Sequence, residues 1–479
     1  MRILKYFPAA VFFVPLIATA QSYTQNSGEQ YRPLFHFTPV KGWMNDPNGM
    51  VYHDGVYHLF FQYNPDSTVW GPMHWGHAAS RDLLSWEELP IALYPDSLGT
   101  IFSGSAVIDA SNTAGFGKDA MVAVYTSHNA EQEKAGSDRF QNQNIAYSLD
   151  EGRTWTKYAG NPVVRNPGIR DFRDPKVFWY APQNKWVMTL ATLDHITFYA
   201  SADLKDWKEE STFGRTSGAH GGVWECPDLF PLDYQGRQVW VLVVNLNPGG
   251  PNGGSATQYF TGGFDGHAFT PDDTATKWLD YGPDEYAGVT WSNTGSRRIF
   301  LGWMGNWEYA QVVPTQNWRS AMTTARELSL QKVGGRYLVA SKPFNKLRGF
   351  QGQTLSVKLK DGAETTRRLG THGTFKLDLE KLSVGDLTIE LSNDKGDAVK
   401  VGYDKTADRY YIDRTQSGIV DFNKNFAGRH SAPRFSDSKS IRLQLVVDRT
   451  SVELFADDGL TTMTSIFFPH APMTTVKIK

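Results

Sequence analysis

The sequence has a single cysteine, Cys226, among 479 residues, so it can form no internal disulfide. Charge of either sign is not in excess: 48 Lys and Arg stand against 50 Asp and Glu, a formal net charge of −2. Long basic runs are missing, which argues against nucleic acid and against an anionic membrane surface as partners. Beyond the N-terminus, no apolar run approaches the roughly 20 residues that a membrane-spanning helix needs. The alternating Asp or Asn of a calcium loop closed by Glu is not evident, nor is a His pair at zinc spacing, so no metal is expected.

What is plentiful points to β structure. The 44 glycines suit frequent turns, and 15 Trp with 21 Tyr exceed what a core alone needs. Such rings pack sheets and also cover the apolar faces of sugars. The length allows two or three domains with a sizeable core.

Residues 1–20, MRILKYFPAAVFFVPLIATA, place Arg2 and Lys5 ahead of an apolar run from Phe12 to Ile17, then Ala18-Thr19-Ala20. That is the order of a secretory signal peptide with a small-residue cleavage site. An exported chain without disulfides fits a periplasmic or secreted bacterial protein. With Cys226 the only cysteine, none follows the signal to carry a lipid anchor.

Two repeats organise the chain that follows. Ser80-Arg81-Asp82-Leu83-Leu84-Ser85-Trp86 returns as Ser201-Ala202-Asp203-Leu204-Lys205-Asp206-Trp207 and, more loosely, as Ser148 to Trp155, with a decayed copy at Phe264 to Phe269. The spacing, roughly 50 to 70 residues, is in the range of propeller blades. Between these turns lie five hairpin patterns, with first runs at 50–52, 105–108, 176–180, 229–232 and 287–291. Asp-Gly or Gln-Gly turns joining apolar and β-branched runs are the hairpin signal. We therefore expect an all-β chain: a five-bladed β-propeller over residues 30–343, then a C-terminal β-sandwich over 352–479. Residues 325–343 read as one more hairpin and FNKLRGF as a connector.

Three hairpins begin on an acid and a proline: Asn45-Asp46-Pro47, Arg173-Asp174-Pro175 and Glu225-Cys226-Pro227. Proline lacks an N–H and biases its predecessor toward extended geometry, so each acid is expected at a rim where no ladder bond is lost. Taken singly, Asp46 and Asp174 also fit turn caps, Glu225 a solvated acid and Cys226 a small buried filler. Together the acids head inner strands of one propeller, and the architecture would make them converge across about 50 to 130 residues of sequence. Mutually repelling carboxylates amid Trp, Asn, Gln and Arg suggest glycoside cleavage.

WMNDPNG (43–49), FQYNP (61–65), FSGS (102–105), FRDP (172–175) and WECPDLF (224–230), in that order, resemble the motif set of glycoside hydrolase family 32, whose members include invertases, inulinases and levanases. WGPMHWGHAASRDLLSW (70–86) and VELFADDG (452–459) extend the likeness over nearly the whole chain. The resemblance implies a propeller and sandwich without a cofactor. It also implies Asp46 as nucleophile, Glu225 as acid/base, Asp174 as transition-state stabiliser, and Asn45, Gln62, Trp70, Ser103, Arg173, Asp280 and Trp307 as sugar contacts. Asp284 and Trp303 are alternatives to the last two. The implied reaction releases terminal β-D-fructofuranosyl units from levan, inulin or sucrose with retention. Endo cleavage, fructosyl transfer and non-catalytic sugar binding are the rivals, and the loops 66–72 and 249–254 bear on exo against endo action.

Overall fold

The structure, a computed structural model, describes residues 29–479; the expected signal peptide, residues 1–20, lies outside the described residues. Among the described residues helix is confined to one short turn, Ala130–Lys134, and four 3-10 turns, and the rest of the regular structure is strand.

Five sheets, each built on antiparallel hairpins, follow one another along the chain. Their first strands are Gly42–His53 (blade I), Thr100–Asp109 (II), Phe172–Tyr180 (III), Val223–Tyr234 (IV) and Tyr286–Thr290 (V). These five strands touch in cyclic order, I to II to III to IV to V to I, which makes a closed propeller with the first strands innermost. The ring is closed by backbone pairing as well: Trp318–Arg319 lies parallel to Gly42–Trp43, and Ser292 bridges Val51.

Period-two alternation explains the packing. In the blade II strand Ala120–His128, Met121, Ala123 and Tyr125 face blade I, whereas Val122 and Val124 face blade III. A strand buried on both faces reads as a continuous apolar run, as this one does. Five such clusters fill the five gaps between blades.

The repeated Ser-x-Asp turns join third and fourth strands. In blade I, Ser80 Oγ accepts from Leu83 N (2.8 Å) and Asp82 Oδ1 from Leu84 N and Ser85 N (2.9 and 2.7 Å). In blade III, Asp203 Oδ1 accepts from Lys205 N and Asp206 N (2.9 Å each). The decayed copy retains the device: Asp265 Oδ1 accepts from His267 N and Ala268 N, both at 2.8 Å. Trp86 stacks on Trp291 of blade V and Trp155 packs edge-on to Phe60 of blade I, so each tryptophan seals the preceding gap. The extra hairpin expected at 325–343 is the outer half of blade V: Arg326–Val333 pairs with Ile299–Met304 across an intervening excursion.

Beyond the 3-10 turn Phe344–Leu347, two sheets of five and six strands form the sandwich. Their facing side chains, among them Leu377, Leu445, Leu454, Ile389, Val401 and Ile412, are fully buried. Charged side chains join the sandwich to the propeller: Arg326 of blade V, which also binds Asp280 (2.8 Å), reaches Glu453 of the sandwich (2.6 Å), and Arg414 of the sandwich pairs with Asp284. His36, ahead of blade I, lies between Asp448 (3.0 Å) and Glu453 (2.9 Å).

Candidate active site

All five inner strands carry the same irregularity near their starts. In each, two residues oppose one on the neighbouring strand: Asn45-Asp46 against Gln62, Phe102-Ser103 against Thr126, Asp174-Pro175 against Leu190, Cys226-Pro227 against Val244, and Ala287-Gly288 against Gly302. Such a bulge bends the strand and re-aims a side chain. The residues before Pro175 and Pro227 are therefore not extended, contrary to the sequence expectation: Asp174 and Cys226 have φ of 66° and 42°. Left-handed backbone costs a non-glycine residue about 1–3 kcal/mol and persists where neighbours over-determine it. Here the Asp174 N–H donates to Thr126 Oγ1 and the Cys226 N–H to Asp174 Oδ2, both at 3.0 Å.

The bulges bring the three acids close together. Cys226 Sγ lies 3.7 Å from Asp46 Oδ2 and 3.6 Å from Asp174 Oδ2, so blades I, III and IV meet at one thiol. Asp46 accepts from Asn45 Nδ2 and Ser103 Oγ, both at 2.8 Å, and Asn45 is itself oriented by Trp43 Nε1 at 2.7 Å. Arg173 Nε and Nη2 reach Glu225 Oε1 at 3.1 and 3.0 Å, while its Nη1 is anchored on Asp171 at 2.5 Å. The guanidinium is thus hydrogen-bonded to Glu225 and Asp171; Asp174 feels only its field. Tyr286 of blade V donates to Glu225 Oε2.

Crowding three carboxyls with one guanidinium shows in the acidities. Burial pushes Asp174 up to about 7; the Arg173 charge opposes this and the charges of Glu225 and Asp46 add to it. Burial, then the Glu225 charge, raises Asp46, with the Asn45 and Ser103 hydrogen bonds pulling the other way. Burial beside these acids pushes the Cys226 thiol well up, so it stays a thiol.

A second polar cluster follows the acids along the same inner strands. Lys176 Nζ lies 3.1 Å from Asp228 Oδ2 and donates to the Thr290 carbonyl at 2.5 Å, while the Thr290 N–H and Oγ return to Asp228 at 2.6 and 2.7 Å. Inner strands of blades III, IV and V are tied together there. No group of three or more His, Cys, Asp or Glu side chains arranged to hold a metal ion is present among the described residues.

The remaining residues singled out from sequence divide. Gln62 opposes the Asn45-Asp46 bulge, is buried, and has no partner for Nε2. Trp307, half-buried, lies 5.8 Å from the Trp43 ring, whereas its rival Trp303 is fully buried. Trp70, 41% exposed, sits edge-on to Phe102 beside Ser103. Its loop is tethered by Asn64 Nδ2 on the Val69 carbonyl at 3.0 Å. The loop 249–254 is tied instead to the sandwich, through Asn252 Nδ2 on the carbonyls of Tyr281 (2.6 Å) and Ser431 (3.0 Å).

Asp280 is a correction. Its carboxylate is consumed in the domain interface by Arg326 Nη1 (2.8 Å), Thr464 N and Oγ1 (2.9 and 2.7 Å) and Gly282 N (2.7 Å), which leaves nothing for a sugar. Asp284 is equally spent, on Arg414, Tyr309 Oη and Ile466 N. Sequence reasoning missed Tyr286. Its signal was available: aligning the fifth hairpin start with the fourth sets Tyr286-Ala287-Gly288 beside Glu225-Cys226-Pro227.

A closed five-bladed ring with three carboxylates and one arginine gathered at the starts of its inner strands defines a propeller glycosidase. More particularly, the chain belongs to glycosyl hydrolase family 32: the family's N-terminal domain matches residues 36–342 and its C-terminal domain residues 344–479. It is 48% identical over 460 residues to a levanase of Bacillus subtilis, covering 92% of this chain and 67% of that one. With an extracellular exo-inulinase of Aspergillus awamori it shares 42% over 496 residues, covering 94% and 92%. Among solved structures, exo-inulinase from A. awamori superposes with a TM-score of 0.85 at 39% identity, covering 94% and 95% of the chains. A β-fructofuranosidase from Schwanniomyces occidentalis complexed with fructosyl-erythritol gives 0.84 at 35%, covering 94% of each.

Proposed function

We propose that the protein is an exo-acting β-fructosidase that releases terminal β-D-fructofuranosyl units from levan, inulin and sucrose by double displacement. The observation that carries this reading is the meeting of Asp46 and Asp174 at the Cys226 thiol, with the Glu225 carboxyl close enough for its charge to act on both. Asp46, held by Asn45 and Ser103, attacks the anomeric C2 as Glu225 gives its proton to the departing oxygen. Water then attacks C2, Glu225 takes a proton from it, and the C2–Asp46 bond breaks to give β-fructose. Asp174 binds ring hydroxyls most strongly as positive charge develops on the sugar. The first step needs a proton on Glu225.

Gln62 Nε2, a buried donor without a protein partner, supplies a hydrogen bond to the sugar. Trp70 and Trp307 offer ring faces to it. The exo-inulinases among its relatives support exo action. In the same reading residues 30–343 do the chemistry and 352–479 brace blades IV and V. Export by the N-terminal signal agrees with the extracellular exo-inulinases among its relatives, and no helix among the described residues is long and apolar enough to cross a membrane.

The test is product analysis of the purified protein on levan, inulin and sucrose. Free fructose alone, first formed as the β anomer, is expected. Fructo-oligosaccharides from levan or inulin would mean endo cleavage, fructosylated acceptors would mean transfer, and an α product would rule out double displacement.

A further inference from the structure

Blade V enters the acidic recess through Tyr286. It stands in its blade where Glu225 stands in blade IV, the last paired residue before the bulge. The ring is buried, and its hydroxyl donates to Glu225 Oε2. The other carboxylate oxygen, Oε1, faces Arg173 Nε and Nη2 at 3.1 and 3.0 Å. Burial and the Glu225 charge push the phenol well above its ordinary value, so its O–H is never given up at working pH.

The placement is built by the surrounding backbone. Ala287 is left-handed, with φ of 54°, and a Cβ on Gly288 would fall 2.0 Å from Phe300 Cζ. Asn245 fixes two bulges at once: its Nδ2 donates to the Cys226 carbonyl (2.9 Å) and the Gly288 carbonyl (3.3 Å), and its Oδ1 accepts from Gly288 N (3.2 Å). The strand carrying Tyr286 is thereby held in register with the strand carrying Glu225.

The two oxygens of Glu225 are not equivalent. A guanidinium only donates, so a proton on Oε1 would confront another donor; a phenol both donates and accepts. We propose that Tyr286 is a positioning residue that makes Oε2 the proton-carrying oxygen of Glu225. One lone pair of Oε2 takes the Tyr286 hydrogen bond, and the other carries the proton that passes to the leaving oxygen and is later recovered from water. The phenol keeps its own hydrogen throughout. When Glu225 ionises, Arg173 on Oε1 and Tyr286 on Oε2 hold the new carboxylate in place for the second step. This inference rests on the acid–base reading of Glu225 and adds to it the choice of oxygen and the contribution of blade V.

Tyr286→Phe removes the O–H and keeps the ring. The expected result is a roughly 10- to 100-fold loss of kcat/KM on sucrose, the cost of one hydrogen bond to a charged group. The basic limb of the pH profile should also move up by about one pH unit, because a carboxylate deprived of a donor keeps its proton longer. The thermal midpoint should stay at the wild-type value. A basic limb that does not move overturns the inference, whatever happens to the rate, since a packing role would leave it in place. Glu225→Gln is measured alongside. Its inactivity preserves the acid–base reading while Tyr286 is judged; wild-type sucrose cleavage by Glu225→Gln would instead remove that reading and the inference with it.

Discussion

The Cys226 N–H donates to Asp174 Oδ2 at 3.0 Å, from blade IV to blade III. Each partner owes its left-handed backbone to a bulge, and each bulge is held by a hydrogen bond from a neighbouring strand. The site is therefore a property of the ring, since a bulge in an isolated hairpin would have no opposing blade to aim at.

That crowding has a stability consequence. The folded-state acidity of Asp174 is raised to about 7 from an ordinary 3.8, so the native fold binds its proton more tightly than the unfolded chain does. Its contribution is fully present below about pH 3.8 and is lost as pH rises through about 7. Asp174→Asn should raise the melting temperature by several degrees at pH 8, leave it nearly unchanged at pH 4, and lower kcat by about 100-fold or more. Calorimetry at the two pH values decides; a lower midpoint at pH 8 counts against the shared burial of the acids.

Gln62 makes the opposite prediction. Its Nε2 has no protein partner, so the Gln62→Ala change should cost little stability. On sucrose it should lower kcat/KM by roughly 10-fold or more if a sugar hydroxyl uses that donor. Steady-state kinetics beside a melting curve separates the two; unchanged kinetics would place Gln62 outside the sugar site.

Asp280 should behave as an interface residue. Asp280→Asn leaves Arg326 short of a buried charge partner, and loss of one member of such a pair costs about 3–5 kcal/mol. Denaturant unfolding should show that loss, while KM for sucrose in the folded protein stays at the wild-type value. A raised KM with unchanged stability would return Asp280 to the sugar site.

The His36 ring faces Asp448 through Nδ1 and Glu453 through Nε2, so both nitrogens donate and the ring is an imidazolium. Burial opposes that charge, but the two carboxylates raise His36 from 6.5 to about 9, while Arg326 and His36 outweigh burial at Glu453 and lower it from 4.5 to about 2. A raised histidine contributes fully below about pH 6.5 and loses its contribution as pH climbs through about 9. A lowered glutamate contributes fully above about pH 4.5 and loses it as pH falls through about 2. The bracing of the sandwich should therefore be strongest between about pH 4.5 and 6.5. His36→Gln should lower the midpoint at pH 6 and close the gap to wild type by about pH 10; an equal deficit at both values would refute the charged pairing.

The blades were legible because their code is local. Val122 and Val124 against Met121, Ala123 and Tyr125 state the strand period, and Asp82, Asp203 and Asp265 state the turns. The acid–proline starts were legible as motifs. Their bulged geometry was not, because proline alone favours an extended predecessor and the left-handed φ of Asp174 and Cys226 is imposed by partners in other strands. The hairpin at 325–343 looked independent because its blade V neighbours, Ile299–Met304, precede it by more than a turn's length of chain.

By itself the sequence determined the strand pattern, the number of repeats, and the family to which Asn45-Asp46-Pro47 and Glu225-Cys226-Pro227 belong. Only the tertiary structure decided which polar groups share a partner. Asp280 and Asp46 are both acids ahead of or within the first residues of an inner strand, and nothing in the local sequence distinguishes them. One meets Arg326 and Thr464 at the domain interface, the other Ser103 and Cys226 of other blades, because ring closure and sandwich docking bring together residues far apart along the chain. The same closure delivers Tyr286 to Glu225.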